Sequence, residues 1–144
     1  MNKIQSFCGE YEFLSNFYNA IVTYKGLTYQ NSEAAYQAQK CMSEEERKQF
    51  TSMNPSKAKR TGRRVNLRHD WEDVKVNEMR GIVLAKFSQN PELAEKLIQT
   101  GDAYLEEGNT WDDRTWGTVN GNGQNLLGKI LMETRDKLKR NREE

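Results

Sequence analysis

Three polar side chains with complementary chemistry fall on one face of a predicted helix. Glu33, Gln37 and Lys40 are spaced i, i+4 and i+7, and most of the residues around them are small alanines. A carboxylate, an amide and an amine placed in this way could project together into a site. Glu33 lies in the first turn, where the positive helix end favours an ionised carboxylate that could act as a general base or stabilise a cation. The alternative is a solvated helix face with a weak ion pair, which is the commoner case.

A long aperiodic segment, residues 105–128, carries the second set of candidate groups. It contains Trp111, Trp116, Asp112 and Asp113 among several glycines. Long loops in small domains are costly to order and are usually functional or disordered, and the tryptophans argue against disorder. Flat apolar rings next to carboxylates suit a site that holds a heterocycle. The alternative is a structural loop whose tryptophans pack against the edge of the core.

A basic cluster precedes the longest predicted helix. Six cationic residues fall within twelve positions without an intervening acid, namely Lys57, Lys59, Arg60, Arg63, Arg64 and Arg68. Such a cluster fits the phosphate of a nucleotide or of a nucleic-acid backbone, although a solvated helix face is the more frequent explanation. Trp71 follows the cluster directly and is a candidate stacking platform, but a tryptophan at this position usually belongs to the core.

Composition narrows the class of protein. A length of 144 residues with 35% hydrophobic residues predicts one domain with a modest core, and a net charge of +1 gives no global attraction to nucleic acid or membrane. Cys8 and Cys41 form no CxxC motif, and His69 is the single histidine, so neither a zinc site nor a cysteine–histidine or serine–histidine pair is expected. We expect a cytoplasmic protein without a membrane span, metal or cofactor.

Local patterns predict a short β-structured start followed mostly by helices. Residues 4–7 and 20–30 favour strands, and the second run reads as a hairpin that turns at Lys25-Gly26. Residues 103–107 favour a further strand. Helices are expected over 32–41, after Ser43, after Asn54-Pro55, from Asp70 (as the cap) past Phe87, from Pro91 to Gly101, and over 125–140. The fold class is therefore mainly α (α+β), with a small N-terminal antiparallel sheet.

Motifs spread along nearly the whole chain resemble the NADAR family, also called the YbiA-like or DUF1768 family. They are residues 13–18 (Phe-Leu-Ser-Asn-Phe-Tyr), 32–40 (Ser-Glu-Ala-Ala-Tyr-Gln-Ala-Gln-Lys), 58–63 (Ala-Lys-Arg-Thr-Gly-Arg), 70–71 (Asp-Trp), 79 (Met), 86–87 (Lys-Phe), 100–102 (Thr-Gly-Asp), 116–117 (Trp-Gly), 125–128 (Asn-Leu-Leu-Gly), 131–132 (Leu-Met) and 135 (Arg). Many relatives carry Glu-His where this chain has Glu33-Ala34. The resemblance implies a single YbiA-like domain over residues 1–144, a helical orthogonal bundle with a small sheet.

The resemblance also implies an activity. Members of the family are N-glycosidases that cleave ribosylamino-pyrimidine intermediates of riboflavin synthesis or remove ADP-ribose from guanine. For this chain it implies Glu33, Lys40 and Asp113 as catalytic residues. The substrate-binding residues that we expect are Asn16, Tyr18, Gln37, Lys57, Arg63, Arg64, Trp71, Trp111, Trp116, Gly117 and Asn125. The expected partner is a phosphorylated ribosylamine or an ADP-ribosyl compound, with ADP-ribosylated nucleic acid as a further possibility.

Two other classes of function fit the same residues. A non-catalytic module that binds ADP-ribose or a related nucleotide would also need stacking rings and a basic phosphate site. A protein that binds nucleic acid through residues 57–68 would show binding that falls steeply with salt. Glu33 and Lys40 on one helix face favour the enzyme, because binding alone does not need both.

Overall fold

The computed structural model describes residues 2–143. In chain order the strands are β1 (Lys3–Ile4), β2 (Asn19–Tyr24), β3 (Leu27–Asn31) and β4 (Tyr104–Leu105), and the helices are α1 (Ser32–Ala38), α2 (Glu44–Lys48), α3 (Pro55–Gly62), α4 (Trp71–Gln89), α5 (Pro91–Gln99) and α6 (Leu126–Glu143). Short 3₁₀ segments cover Gly9–Leu14 and Gln49–Ser52. The expected mixture of helices with a small antiparallel sheet is confirmed. Among residues 2–143, no helix is both long and apolar enough to cross a membrane.

The chain forms two compact units. The central unit is residues 16–90, and the terminal unit combines the described residues up to Ser15 with those from Pro91 onward. The single domain over residues 1–144 and the orthogonal arrangement of its helices stay predictions.

The hairpin of the central unit forms as its turn residues dictate. Strands β2 and β3 pair antiparallel up to Tyr24 and Leu27, and the two turn residues, Lys25 and Gly26, have φ values of 48° and 86°. Two consecutive positive φ angles match the right-handed twist of the flanking strands, and glycine adopts such an angle without steric cost. The predicted hairpin is therefore confirmed.

Helix α1 is the interior element of the central unit. Asn31 caps it by accepting a 2.7 Å hydrogen bond from the backbone N–H of Ala34, so the predicted start is confirmed. All seven residues of the helix are buried. It ends at Ala38 rather than at the expected Cys41, because the N–H groups of residues 39–41 each bond to a carbonyl three positions back, which tightens the last turn.

The remaining helix starts of the central unit follow their capping residues, with one exception. Ser43 accepts from the N–H of Glu46 at the start of α2, and Asn54 accepts from the N–H of Lys57 at the start of α3. Asp70 stands at the predicted position before α4, but its carboxylate binds the guanidinium of Arg68 and caps no helix N–H. The expectation of a side-chain cap at Asp70 was wrong, because a charged partner two residues away competes successfully for the carboxylate.

The terminal unit joins the two ends of the chain. Strand β1 pairs with β4 in parallel, with Lys3 opposite Tyr104 and Ile4 opposite Leu105, a pairing that no sequence pattern predicted. Helix α6 packs closely on β4, because a Cβ at Gly128 would stand 2.1 Å from the carbonyl oxygen of Leu105. The core of this unit consists of large buried side chains, among them Leu14, Leu97, Leu105, Leu127, Ile130 and Leu131.

Candidate active site in the central unit

Glu33 and Gln37 form the centre of the candidate site. Nε2 of Gln37 donates a 2.6 Å hydrogen bond to Oε2 of Glu33 one turn earlier. Only 8% of Glu33 and 6% of Gln37 are exposed, so the interpretation of this face as a solvated stripe was wrong. A carboxylate that accepts a hydrogen bond inside the protein is fixed in place.

Helix α3 runs beside α1 and closes over the Gln37 amide. At one end, Nδ2 of Asn31 donates a 3.0 Å hydrogen bond to the carbonyl of Met53, just before α3. At the other end, Gly62 lies so near that an added Cβ would stand 2.0 Å from Oε1 of Gln37. Oε1 is buried and has no hydrogen-bond partner within residues 2–143. The amide is therefore held between the Gly62 backbone and the Glu33 carboxylate.

Lys40 lies two residues beyond the end of α1 and is electrostatically linked to Glu33. Burial lowers the pKa of the Lys40 amine, the negative charge of Glu33 raises it, and the positive charges of Arg63 and Lys75 lower it further. The net effect is a lower pKa, so a larger fraction of the amine is neutral near pH 7 than for an exposed lysine. The Lys40 backbone is fixed too, because its carbonyl accepts a 3.0 Å hydrogen bond from the N–H of Arg68.

A buried carboxylate on α4 holds Arg68 in turn. Glu78 accepts hydrogen bonds from the Tyr24 hydroxyl at 2.6 Å, from Lys25 at 3.0 Å and from Nη1 of Arg68 at 3.2 Å. Burial raises the pKa of Glu78, but these hydrogen bonds and charges outweigh it, so the pKa is lower than usual and the carboxylate stays ionised. Helix α4 thereby fixes the segment that contacts the Lys40 backbone.

The predicted phosphate-binding cations lie on the surface of the same unit. Lys57 is exposed on α3, and Arg63 and Arg64 are exposed in the turn that follows. Arg63 is near enough to Lys40 to influence its pKa. The structure therefore brings Glu33, Gln37, Lys40 and Arg63 into one neighbourhood.

Three further predicted residues of the central unit have structural contacts. The Asn16 carboxamide accepts from the Ser32 hydroxyl at 3.0 Å and points its Nδ2 at the Met79 sulfur, and its carbonyl accepts from the N–H of Glu33. Trp71 is 4% exposed and packs on Tyr36 with ring centroids 5.2 Å apart, as a core tryptophan does. Tyr18 is half-buried, with the Lys86 ammonium 5.8 Å from its ring centroid.

The other predicted residues belong to the terminal unit, in the loop between β4 and α6. Oδ1 of Asp113 accepts from the backbone N–H groups of Thr115 and Trp116 at 3.1 and 2.9 Å. Trp111 is 59% exposed and Trp116 is half-buried. The roles of these side chains in binding or catalysis stay predictions.

Gly117 and Asn125 hold that loop together. A Cβ at Gly117 would stand 2.1 Å from the carbonyl oxygen of Glu107, so only glycine fits there without displacement. Asn125 has a positive φ of 51°, accepts from the N–H of Glu107 at 3.0 Å and donates to the carbonyl of Leu105 at 2.9 Å. These contacts match the structural-loop alternative for this segment.

Two residues beside the predicted set, Gly62 and Lys86, lie within the motifs that carry the resemblance, but sequence reasoning gave neither of them a role. Gly62 has no side chain within a predicted helical segment, and such a glycine often allows another element to pack closely against the helix. Lys86 is 1% exposed, and burial lowers its pKa to about 7. Its signal was a lone charge between the apolar positions Val83 and Phe87 of α4. Within residues 2–143, no group of three or more His, Cys, Asp or Glu side chains is placed to hold a metal ion.

Comparisons with known proteins identify the family to which this mixed α/β fold belongs. The NADAR domain model matches residues 5–139. A riboflavin biosynthesis protein from Vibrio vulnificus is 41% identical over 130 residues, which cover 88% of this chain and 35% of that protein. The N-glycosidase YbiA of Shigella flexneri is 40% identical over 133 residues, which cover 90% of this chain and 82% of that protein.

A solved structure agrees with these matches. The NMR structure of Escherichia coli YbiA superimposes with a TM-score of 0.86 at 37% identity, covering 99% of this chain and 86% of that one. This chain belongs to the NADAR domain family. It spans only about a third of the Vibrio vulnificus protein, but most of the length of the two YbiA proteins.

Proposed function

We propose that this chain is an N-glycosidase, a hydrolase of N-glycosyl bonds. Its substrates join phosphoribose or ADP-ribose to an exocyclic amino group of a planar base, either a ribosylamino-pyrimidine or ADP-ribosylated guanine. The observation that carries the proposal is the buried Glu33 carboxylate held by the 2.6 Å hydrogen bond from Gln37. The N-glycosidase names of relatives at about 40% identity support it.

Glu33 acts at the anomeric carbon of the sugar. When the bond from this carbon to the base nitrogen breaks, its electron pair leaves with the base and the sugar becomes an oxocarbenium-like cation. A fixed carboxylate stabilises that charge better than water does, because it does not need to reorganise during the reaction. Water then adds to the cation and gives a proton to Glu33, which yields the free sugar.

Lys40 completes the reaction in one of two ways that its lowered pKa permits. As an ammonium it donates a proton to the departing base nitrogen, so that the base leaves as a neutral amine. As a neutral amine it attacks the carbonyl-type carbon of the ring-opened sugar, displaces the base amine and forms a Schiff base that water hydrolyses. In the first route Glu33 ends with a proton and Lys40 has lost one, so transfer of a proton from Glu33 to Lys40, directly or through solvent, restores the enzyme. In the second route hydrolysis of the Schiff base releases the sugar and regenerates the Lys40 amine.

The surface cations bind the phosphate end of the substrate. Lys57 is exposed on α3 and Arg63 and Arg64 are exposed in the turn after it, with Arg63 near enough to act on the pKa of Lys40. Guanidinium groups bind phosphate oxygens in pairs. Such contacts lie away from the reacting bond, so they hold the sugar in place while Glu33 acts.

Product analysis by mass spectrometry tests the proposal. Wild type, Glu33→Gln and the control Glu45→Gln, a glutamate in the first turn of the exposed helix α2, are incubated with a ribosylamino-pyrimidine phosphate and with an oligonucleotide that carries ADP-ribosylated guanine. We expect wild type and the control to release free base from at least one substrate, and Glu33→Gln to release at least about 100-fold less. Equal release by Glu33→Gln would remove Glu33 from catalysis. Binding of a substrate without release by wild type would indicate the non-catalytic nucleotide-binding module.

A further inference from the structure

The charges of this chain are distributed unevenly along the sequence. Eight of the 22 Lys and Arg residues fall within residues 47–69, a stretch that contains no Asp or Glu and that includes α3. The net charge of the whole chain is only +1, so the acids that balance these cations lie elsewhere in the sequence. A protein that is nearly neutral overall can therefore present a strongly positive potential on one part of its surface.

Four of these cations form an exposed set on α3 and in the turn that follows it, which we call the α3 cationic face. They are Lys57, Arg60, Arg63 and Arg64. None of the four forms an ion pair or a side-chain hydrogen bond with another residue of the range 2–143. In the same unit, Lys25, Arg68 and Lys75 each bind a carboxylate. The α3 cationic face therefore keeps its charges available for a ligand.

These charges are not explained by the stability of the helix. Arg60 lies three residues after Lys57 and four before Arg64, and like charges at such spacings repel each other. Lys57 lies in the first turn of α3, where the positive helix end disfavours a cation and where no acid is present. The helix end stabilises only the charges in the turn that follows. An external anion would relieve the repulsion along the whole face.

The α3 cationic face is longer than one phosphate group. Lys57 and Arg64 are seven residues apart, which along a helix corresponds to about 10 Å. Arg60 lies between them, so a positive charge recurs about once per helical turn. Such a row complements a polymer whose anionic groups repeat along its length, as phosphates do in a nucleic-acid strand.

An aromatic ring lies next to these cations. The Lys59 ammonium, also on α3, is 5.8 Å from the centroid of the Phe17 ring, and 42% of Phe17 is exposed. Phe17 also lines a cavity together with Asn54 and Pro55 at the start of α3. Aromatic rings beside a basic surface stack on the bases of single strands, whereas the bases of a duplex are stacked on each other. The ring favours a single strand over a duplex or an anionic membrane.

We propose that the α3 cationic face and Phe17 bind single-stranded nucleic acid, with the cations on successive phosphates and the ring stacked on a base. The inference goes beyond the proposed function, because this binding requires neither a modified base nor the Glu33 carboxylate. Phosphates and the flat faces of bases are common to all strands, so the binding has little dependence on base sequence.

Fluorescence anisotropy with a labelled oligothymidylate measures this binding. The probe contains no guanine and no ribosylamine, so it is not a substrate of the proposed reaction. We expect a plot of log affinity against log salt concentration to have a slope of about −2 to −3, the value for three or four phosphate contacts on a single strand. A duplex of the same length should bind more weakly. An affinity that is independent of salt, or equally tight binding of the duplex or of phosphatidylserine vesicles, would overturn the proposal.

A pair of double variants locates the contacts. Arg60→Gln/Arg64→Gln should weaken binding about tenfold or more at low salt and make the slope shallower by about 1.4, because two phosphate contacts are lost. Lys129→Gln/Lys137→Gln removes the same charge from exposed positions of α6 and should bind as wild type does. Equal weakening by the two double variants would show that net charge rather than the α3 cationic face drives binding, which would overturn the proposal.

A second pair tests the stacking ring. We expect Phe17→Ala to weaken binding of oligothymidylate at least about fivefold, the smallest effect usually seen when base–aromatic stacking is removed. Its salt dependence should match that of wild type, because the ring contacts no phosphate. The control is Ile21→Ala, which truncates a side chain that is 52% exposed on β2 and should leave binding unchanged. Equal affinity of Phe17→Ala and Ile21→Ala would overturn the assignment to a single strand.

Glu33→Gln separates this inference from the proposed function. We expect this variant to bind oligothymidylate as wild type does although its turnover is lost. Full turnover by Glu33→Gln would contradict the catalytic proposal alone. A wild-type protein that releases base from its substrate but does not bind oligothymidylate would contradict the strand-binding proposal alone.

Discussion

Nε2 of Gln37 donates a 2.6 Å hydrogen bond to Oε2 of Glu33, one turn away on a helix whose residues are all buried. This pair shows how a buried, alanine-rich helix can present a charged group. The small residues allow close packing around α1, and the amide compensates part of the cost of burying the carboxylate. The proposed chemistry depends on this arrangement.

Removal of the amide should reduce catalysis more than stability. We expect Gln37→Met to lower kcat about 10- to 100-fold, because a hydrogen bond to a charged group contributes about 1.5–3 kcal/mol. The matched control is Gln39→Met, which removes the 2.9 Å hydrogen bond from a second buried amide to the Ala35 carbonyl. Steady-state kinetics and thermal unfolding of both variants provide the test. A kcat for Gln37→Met equal to that of the control would contradict a special role of the Gln37–Glu33 pair.

Gly62 should act as a positioning residue for the same pair. An alanine here would place its Cβ 2.0 Å from Oε1 and 2.7 Å from Cδ of Gln37, so the amide or α3 must move. We expect Gly62→Ala to lower kcat about tenfold or more, because small displacements of a catalytic group have large effects on rate. The double variant Gly62→Ala/Gln37→Ala should lose little more than Gln37→Ala alone. Additive losses in this cycle would show that Gly62 acts through some other contact.

Lys86 should make the stability of the protein depend on pH in the alkaline range. Burial lowers its pKa from 10.5 to about 7, so the folded state binds fewer protons than the unfolded state between these values. The free energy of unfolding should therefore rise with pH from about 7 to about 10.5, by up to about 1.4 kcal/mol per pH unit. Below about pH 7 it no longer changes with the titration of Lys86, and the full destabilisation caused by burying the charged amine remains. Lys40, whose pKa is also lowered, contributes in the same direction.

Denaturant unfolding of Lys86→Met at a series of pH values isolates this contribution. We expect the variant to be more stable than wild type near pH 7 and the difference to shrink toward pH 10. Lys129→Met, at an exposed position of α6, should leave the pH dependence of wild type unchanged. A constant difference between wild type and Lys86→Met at all pH values would contradict the lowered pKa.

Asn125 should contribute to the stability of the terminal unit through its contacts with the loop. Asn125→Ala loses the hydrogen bonds to Glu107 and Leu105 and places alanine at a φ of 51°, so we expect a loss of about 2–4 kcal/mol. Asn125→Gly loses the same hydrogen bonds but tolerates this φ, and should be less destabilised than the alanine variant. Thermal unfolding measures both. If neither variant lowers the melting temperature while substrate affinity falls, the predicted binding role is the correct one.

Sequence predictions succeeded where the physical cause is local. The Lys25-Gly26 turn, the Asn31 cap and the Asn54-Pro55 helix start each depend on residues within four positions, and the structure contains all three. The same holds for the Glu33–Gln37 pair, whose spacing on a helix brings the two side chains together. Such features need no knowledge of the rest of the chain.

Predictions failed or were missing where distant residues decide the outcome. The missing cap at Asp70 is an exception, because its competitor Arg68 lies only two residues away, although the same guanidinium also binds Glu78 on α4. The burial of Lys86 depends on the elements packed around α4 rather than on its own neighbours in sequence. The closeness of Gly62 to Gln37 follows from the packing of α3 along α1, which periodicity alone does not specify.

The parallel pairing of Lys3 with Tyr104 has a consequence for how the protein forms during synthesis. Strand β1 is made first, but its partner follows about a hundred residues later, after the whole central unit has been translated. Contacts between such distant segments close a large loop, carry an entropic cost and slow folding. The central unit is continuous in sequence, so it can acquire its contacts on the ribosome before β4 has been synthesised. During that time β1 has no strand to pair with.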